Sequence, residues 1–146
     1  MPIKYSLPSF LEGTEVTRER YVRWLQRKAL SLAQRDKRRW QKAVSVAGYK
    51  EAIHKVVESS EGKDFYTQED LEWDLISKYD NNESQRRGVV YKHELALLPT
   101  VDHVDPGSEE PQFQICGWRT NACKNDLTVE ELREFCKTLL QAQAAS

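Results

Sequence analysis

From about Thr17 the apolar positions Tyr21, Trp24, Leu25, Ala29 and Leu32 return at helical spacing, which predicts an amphipathic helix running to about Trp40. A second helix is predicted from about Gly48 to Ser59, with Tyr49, Ala52, Ile53, Val56 and Val57 along one side. Gly62 stands just beyond it, where a helix C-terminus favours a residue at ease with left-handed dihedrals. The opening segment, Met-Pro-Ile-Lys-Tyr-Ser-Leu-Pro, has two prolines and no periodicity, so it reads as an arm.

Beyond Gly62 the pattern shortens. Phe65-Tyr66-Thr67 and Leu71-Glu72-Trp73 are expected to be two short extended pieces around a turn, with Leu75, Ile76 and Tyr79 continuing as a helical turn. The polar, breaker-rich stretch from Asn81 to Gly88 is expected to be a loop, whose Arg86 and Arg87 are available to a phosphate backbone. Leu95 to Val104 is largely apolar and β-leaning, and Phe113 to Trp118 is a second predicted strand. The turn-rich link between them is far too short for a crossover helix, so the two should pair as an antiparallel hairpin. Thr120 is placed to cap a short helix. Thr128-Val129-Glu130-Glu131 forms a capping box that opens a final helix, with Leu132, Phe135, Leu139 and Leu140 on its buried side.

A length of 146 residues suits one domain with a real core. Four Trp and six Tyr argue against disorder, because such rings are normally packed. Trp24, Trp40, Trp73 and Trp118 are therefore expected in the core, and His54, close to the apolar stripe of the second helix, reads as structural. No apolar run approaches the ~20 residues that span a bilayer, and the N-terminus has no signal-peptide core. The expectation is a cytoplasmic protein with no membrane partner. Cys116, Cys123 and Cys136 are odd in number and in no Cys-x-x-Cys frame, which excludes full pairing within the chain and a four-cysteine zinc site. They are expected to be buried, reduced thiols.

The net charge of -1 hides a strong asymmetry. Arg35, Lys37, Arg38 and Arg39 belong to a run of cations from Arg18 to Lys42, while the acidic residues gather from Glu58 onward. Segregation of this kind lets a near-neutral protein turn one basic face to phosphates. It equally describes a solvated helix face with no partner.

Candidate chemistry is concentrated in one stretch. Asp102 and His103 stand side by side in Pro-Thr-Val-Asp-His-Val, and Asn121 and Lys124 follow in Arg-Thr-Asn-Ala-Cys-Lys-Asn-Asp-Leu. Phosphodiester hydrolysis needs a base for water and a cation to neutralise charge on the phosphate. Histidine serves as a base near neutral pH, and magnesium accepts oxygen ligands while keeping several waters. Neighbouring strand residues point to opposite sides, so one site can use both Asp102 and His103 only if the strand ends or bends there. Asp105-Pro106-Gly107 is a plausible end.

The segment from Pro99 to Glu131 resembles the HNH nucleases, whose ββα-metal fold is a hairpin followed by a helix around one divalent cation. Val-Asp-His-Val-Asp-Pro is similar to the family's Asp-His-Ile-x-Pro strand. Arg-Thr-Asn-Ala-Cys-Lys-Asn-Asp-Leu-Thr is similar to its Asn-x-x-Lys-x-Asp-Leu helix. Two separate motifs in order are far more specific than either alone. The resemblance implies His103 as general base, Asp102 and Asn121 as metal ligands, and Lys124 near the phosphate. Where many members carry Cys-x-x-Cys this chain has Asp64 to Trp73 without cysteine, so it resembles a zinc-free variant. Gln112 occupies the place of the Asn that typically braces the His loop in the family; it can brace with a longer reach, or the brace is lost. Asn125, one helical turn after Asn121, is a supporting group, an alternate ligand or simply solvated. Arg119 either contacts phosphate or covers Trp118.

The expected architecture is a single α+β domain, residues 1–146, in which a basic helical part (9–62) packs on an HNH-like hairpin-helix part (63–146) closed by a C-terminal helix. The expected activity is Mg²⁺-dependent (Mn²⁺ possible) endonucleolytic cleavage of DNA, with RNA left open. The alternative is an HNH-scaffold module that binds nucleic acid without cutting it; a protein-interaction adaptor is a third reading.

Overall fold

The computed structural model describes residues 4–77, 86 and 88–145. Helix α1, Arg18–Trp40, starts where the Thr17 side chain accepts the Arg20 N–H, and ends at Gln41 in a left-handed conformation. It buries Tyr21, Trp24, Leu25, Ala29, Ala33 and also Asp36, a residue no apolar pattern would place inside. Helix α2, Val46–Ser60, begins two residues before the expected Gly48 because the Ser45 hydroxyl accepts the Gly48 N–H and so caps an earlier turn. Glu61 and Gly62 then close it with positive φ.

Strands β1, Pro99–His103, and β2, Phe113–Gly117, pair antiparallel in the register Val101↔Ile115 and His103↔Phe113. One core cluster spans both expected parts of the chain: Tyr21, Trp24 and Leu25 of α1 and Ile53 and Val57 of α2 join Val101, Phe113 and Ile115 of the hairpin. Trp73 locks the middle, its ring 5.5 Å from that of Trp24 and its indole N–H donating to the Gly62 carbonyl. The molecule is thus α+β, with two helices laid against a small antiparallel sheet.

Asp64 explains how the hairpin meets the helices. It is wholly buried, and its Oδ1 accepts the Tyr66 and Thr67 N–H groups at 2.8 and 3.0 Å. Its Oδ2 accepts the Gly117 N–H at 2.9 Å and the Thr120 hydroxyl at 2.7 Å. A buried carboxylate is tolerated because four donors replace its water. This overturns two expectations. Phe65-Tyr66-Thr67 is a turn wound around Asp64 instead of an extended piece. Thr120 lies inside helix α4, Trp118–Lys124, with its hydroxyl given to Asp64; the cap position is Gly117. Gly117 itself is dictated by space, since a Cβ there would stand 2.8 Å from the Ala96 carbonyl oxygen.

Trp73–Ser77 forms a 3-10 turn, where Leu75 and Ile76 were expected to turn helically and Trp73 to be extended. Tyr79, Asn81 to Gln85 and Arg87 lie outside the described residues. Helix α3, Val89–Glu94, precedes the hairpin. The capping box is present as expected: the Thr128 N–H donates to Glu131 and the Glu131 N–H to the Thr128 hydroxyl. The helix it opens, α5, Val129–Ala145, departs from expectation, for Phe135, Leu139 and Leu140 are exposed, not buried. An apolar stripe records that a helix has a packing face, not that the rest of the chain reaches it. Among the described residues no helix is long and apolar enough to cross a membrane.

Candidate active site

Strand β1 ends at His103, so Asp102 and His103 occupy its last two positions and alternate to opposite sides. A cleft of about 200 Å³ lies against this end, lined by Asp102, His103, Asn121 and Asn125, and also by Arg35 and Asp126. Helix α4 brings the two amides: Asn121 sits mid-helix, and Asn125 ends it at φ 46 with its N–H on the Asn121 carbonyl at 2.9 Å. The end of β1 and the end of α4 therefore supply the oxygen side chains that the sequence placed about twenty residues apart.

His103 is gripped from α1. Its Nε2 donates to the Asp36 carboxylate at 2.9 Å, and the Tyr49 hydroxyl of α2 donates to the same oxygen at 2.6 Å. Burial pushes the Asp36 carboxyl upward, but the hydrogen bonds from Tyr49 and His103 outweigh it and leave it below its ordinary value. An ionised carboxylate only accepts, so Nε2 carries a proton and the lone pair of the neutral ring falls on Nδ1. Nδ1 is buried and has no hydrogen-bond partner among the described residues. The Phe113 ring, 5.2 Å away at 74°, holds the imidazole edge-on. Tyr49 is in turn pushed well above the usual phenol range, by burial first and then by its bond to Asp36.

This network has a consequence for pH. The depressed Asp36 carboxyl stabilises the fold above the ordinary aspartate value of 3.8, and that contribution is lost as pH falls below it. Asp36→Asn is expected to flatten the acid limb of a pH series of thermal midpoints, with the midpoint at neutral pH already lowered. An unchanged acid limb would show that Asp36 is not the charged partner of His103.

Asp102 turns the other way. Its Oδ2 accepts the Tyr66 hydroxyl at 2.5 Å and pairs with the Lys124 ammonium at 3.1 Å. Burial, and then the bond to Asp102, raises the Tyr66 phenol far above its usual value. Lys124 is completely buried and also donates to the His103 carbonyl at 3.0 Å. This corrects the expectation that Lys124 lies beside the phosphate. Its ammonium is engaged inside by the Asp102 carboxylate and the His103 carbonyl, joining the two ends of the site, because an ammonium taken out of water needs such partners.

The remaining expected residues separate. Gln112 contributes its carbonyl to the Val104 N–H at 2.9 Å, but its side chain is exposed, so it does not brace His103; Asp36 does. Arg35 lines the cleft, and Arg38 and Arg39 follow it on the same side of α1 at helical spacing. Lys37, roughly 200° around the helix from Arg35, does not share that face. Arg39 instead stacks over Trp40, 5.3 Å from its ring centre. Arg119 is ion-paired with Glu69, and its phosphate role would require that pair to open. Arg86 is exposed, while Arg87 lies outside the described residues.

Among the described residues no group of three or more His, Cys, Asp or Glu is placed to hold a metal. The cleft offers a different donor set, carboxylates and amides, which suits a hard cation that keeps its waters. Comparison with family models, with curated proteins and with solved structures finds no match.

Two residues escaped the sequence. Asp36 left no signal, because a single acid within a basic helix reads as solvated charge. Asp126 did leave one: it is the Asp of the Asn-x-x-Lys-x-Asp-Leu pattern, and it lines the cleft together with Asn121 and Arg35. Elsewhere, His54 is structural as expected, its Nδ1 2.6 Å from the Tyr21 hydroxyl. His93 lies in another cleft, with Arg119. Of the cysteines only Cys116 is buried, and burial drives its thiol well above the ordinary value; Cys123 and Cys136 are exposed, contrary to expectation.

Proposed function

We propose that the protein is a metal-dependent endonuclease of the HNH type, acting on DNA. The observation that carries this reading is that Asp102, His103 and Asn121 line one cleft while Asp36 holds His103 by Nε2. In that role Nδ1 takes the proton of the attacking water. Asp36 keeps the ring in the required tautomer and stabilises the imidazolium that forms, as a carboxylate behind a histidine base does. Asp102, Asn121 and, from the same wall, Asp126 would hold Mg²⁺ or Mn²⁺. When bound, that cation would neutralise charge on the phosphate and on the leaving oxygen. Lys124 partly offsets the Asp102 charge, so it weakens the cation's grip while keeping the carboxylate in place. Arg35, which lines the same cleft, would meet the substrate's phosphates in place of Lys124.

The test is plasmid cleavage. With Mg²⁺ or Mn²⁺ the purified protein is expected to convert supercoiled plasmid to nicked and linear forms, and EDTA to stop it. Plasmid left intact across Mg²⁺, Mn²⁺ and Zn²⁺ would refute the assignment.

A second reading, a module that binds nucleic acid without cutting, is favoured by two features: Nδ1 of His103 is covered, and Asp102 is tied to Lys124. It calls for retardation of DNA that weakens steeply with salt, and no metal-dependent product.

A further inference from the structure

A second cleft, of about 360 Å³, adjoins the first and shares Trp118 and Asn121 with it. Its far wall is the same helix, α1, which contributes Arg27, Lys28 and Ser31 here and Arg35 to the first cleft. Lys28 and Arg35 are two turns apart and so lie on one face, about 10 Å apart along the axis. The two clefts thus form one trough between α1 and the hairpin-helix, basic along one side, with the Trp118 indole common to both.

Lys28 is the unusual residue. It is half-buried, and among the described residues its side chain makes one long hydrogen bond, 3.4 Å, to the Thr100 hydroxyl of β1. Burial, and then the neighbouring Arg27, lower its affinity for a proton. A cation held this way gains more from an incoming phosphate than a fully hydrated one does. Arg27, by contrast, is anchored to the Ile76 carbonyl at 3.1 Å, which fixes the rim.

We propose that this trough receives one unpaired strand of nucleic acid, with a nucleobase in the second cleft against Trp118 and the flanking phosphates on Lys28 and Arg35. The inference rests on the endonuclease reading for its purpose and on the trough for its content. A base stacked in a duplex offers only its groove edges and cannot enter a concave cleft; an unstacked base can, and indole is a good platform for it. The substrate class is therefore a single strand, flap or bulge in preference to continuous duplex.

The experiment uses His103→Ala protein, so that binding is read without cutting. Fluorescence anisotropy compares a labelled oligothymidine of about ten nucleotides with the same strand in a duplex, and oligouridine forms a further arm. The unpaired strand is expected to bind at least about ten-fold more tightly than duplex. Ser31→Trp, which fills the trough from an exposed helix position, and Lys28→Met, which removes the cation, should each remove most of that preference. Equal or tighter duplex binding, or a preference untouched by both substitutions, would overturn the proposal. Tighter binding of oligouridine than of oligothymidine supports the trough and assigns it to RNA. Strand binding by the natural protein, combined with plasmid that the natural protein leaves intact with Mg²⁺, Mn²⁺ and Zn²⁺, refutes the nuclease reading and leaves the trough standing.

Discussion

His103→Ala is expected to reduce Mg²⁺-dependent plasmid cleavage by about a hundred- to ten-thousand-fold, the range over which a positioned general base contributes. The expected loss is in turnover, since the substitution leaves Arg35 and the basic end of α1 in place to hold DNA. The fold should survive. Asp36 would still accept the Tyr49 hydroxyl, so the cost is about 1–3 kcal/mol for a carboxylate short of one donor. Circular dichroism and a thermal melt check that point beside the cleavage assay. Equal cleavage by the variant and the natural protein would remove His103 from the mechanism. Retained binding with lost cleavage is the pattern the base role requires.

Lys124→Met is the largest stability change we anticipate, about 3–5 kcal/mol in the free energy of unfolding. Methionine fills much of the space, but among the described residues it leaves buried Asp102 with the Tyr66 hydroxyl as its one side-chain partner, and the His103 carbonyl without its Lys124 donor. Removing one member of a buried pair costs more than the pair itself contributes, because the charge left behind stays out of water. Guanidinium denaturation at neutral pH measures the loss. A change within about 0.5 kcal/mol, the range of ordinary surface substitutions, would place Lys124 at the surface and restore the phosphate role. The companion change Asp102→Asn with Lys124→Met should recover part of the loss, since the two act as one unit.

The hairpin and its helix were legible because their signals are local. Alternation and turn residues set β1 against β2, and the breaker-rich link left only an antiparallel pairing. The N-terminal helices were legible for the same reason: a stripe of Tyr21, Trp24, Leu25 and Ala29 repeats within a few turns. Misjudged were the places where a polar side chain organises backbone distant in sequence. Phe65-Tyr66-Thr67 looks extended by its residues, yet Asp64 bends it through bonds that also reach Gly117 and Thr120. The final helix failed differently. Its capping box formed from adjacent residues, whereas the burial of Phe135 and Leu139 depended on a surface that the described residues do not bring to it.

At the candidate site the same division holds. The residue types and their order, Asp102-His103 and then Asn121, Asn125 and Asp126, are properties of the sequence, because spacing along a strand and a helix decides which of them reach one end of the hairpin. The protonation pattern of His103, the burial of Lys124 and the exposure of Gln112 were decided by the tertiary structure. Asp36 lies 67 residues from His103 along the chain, and no periodicity links them. Whether a charge is a solvated surface group or an interior brace depends on which opposite charge or donor the fold delivers within hydrogen-bonding distance, and only the packed chain supplies that neighbour.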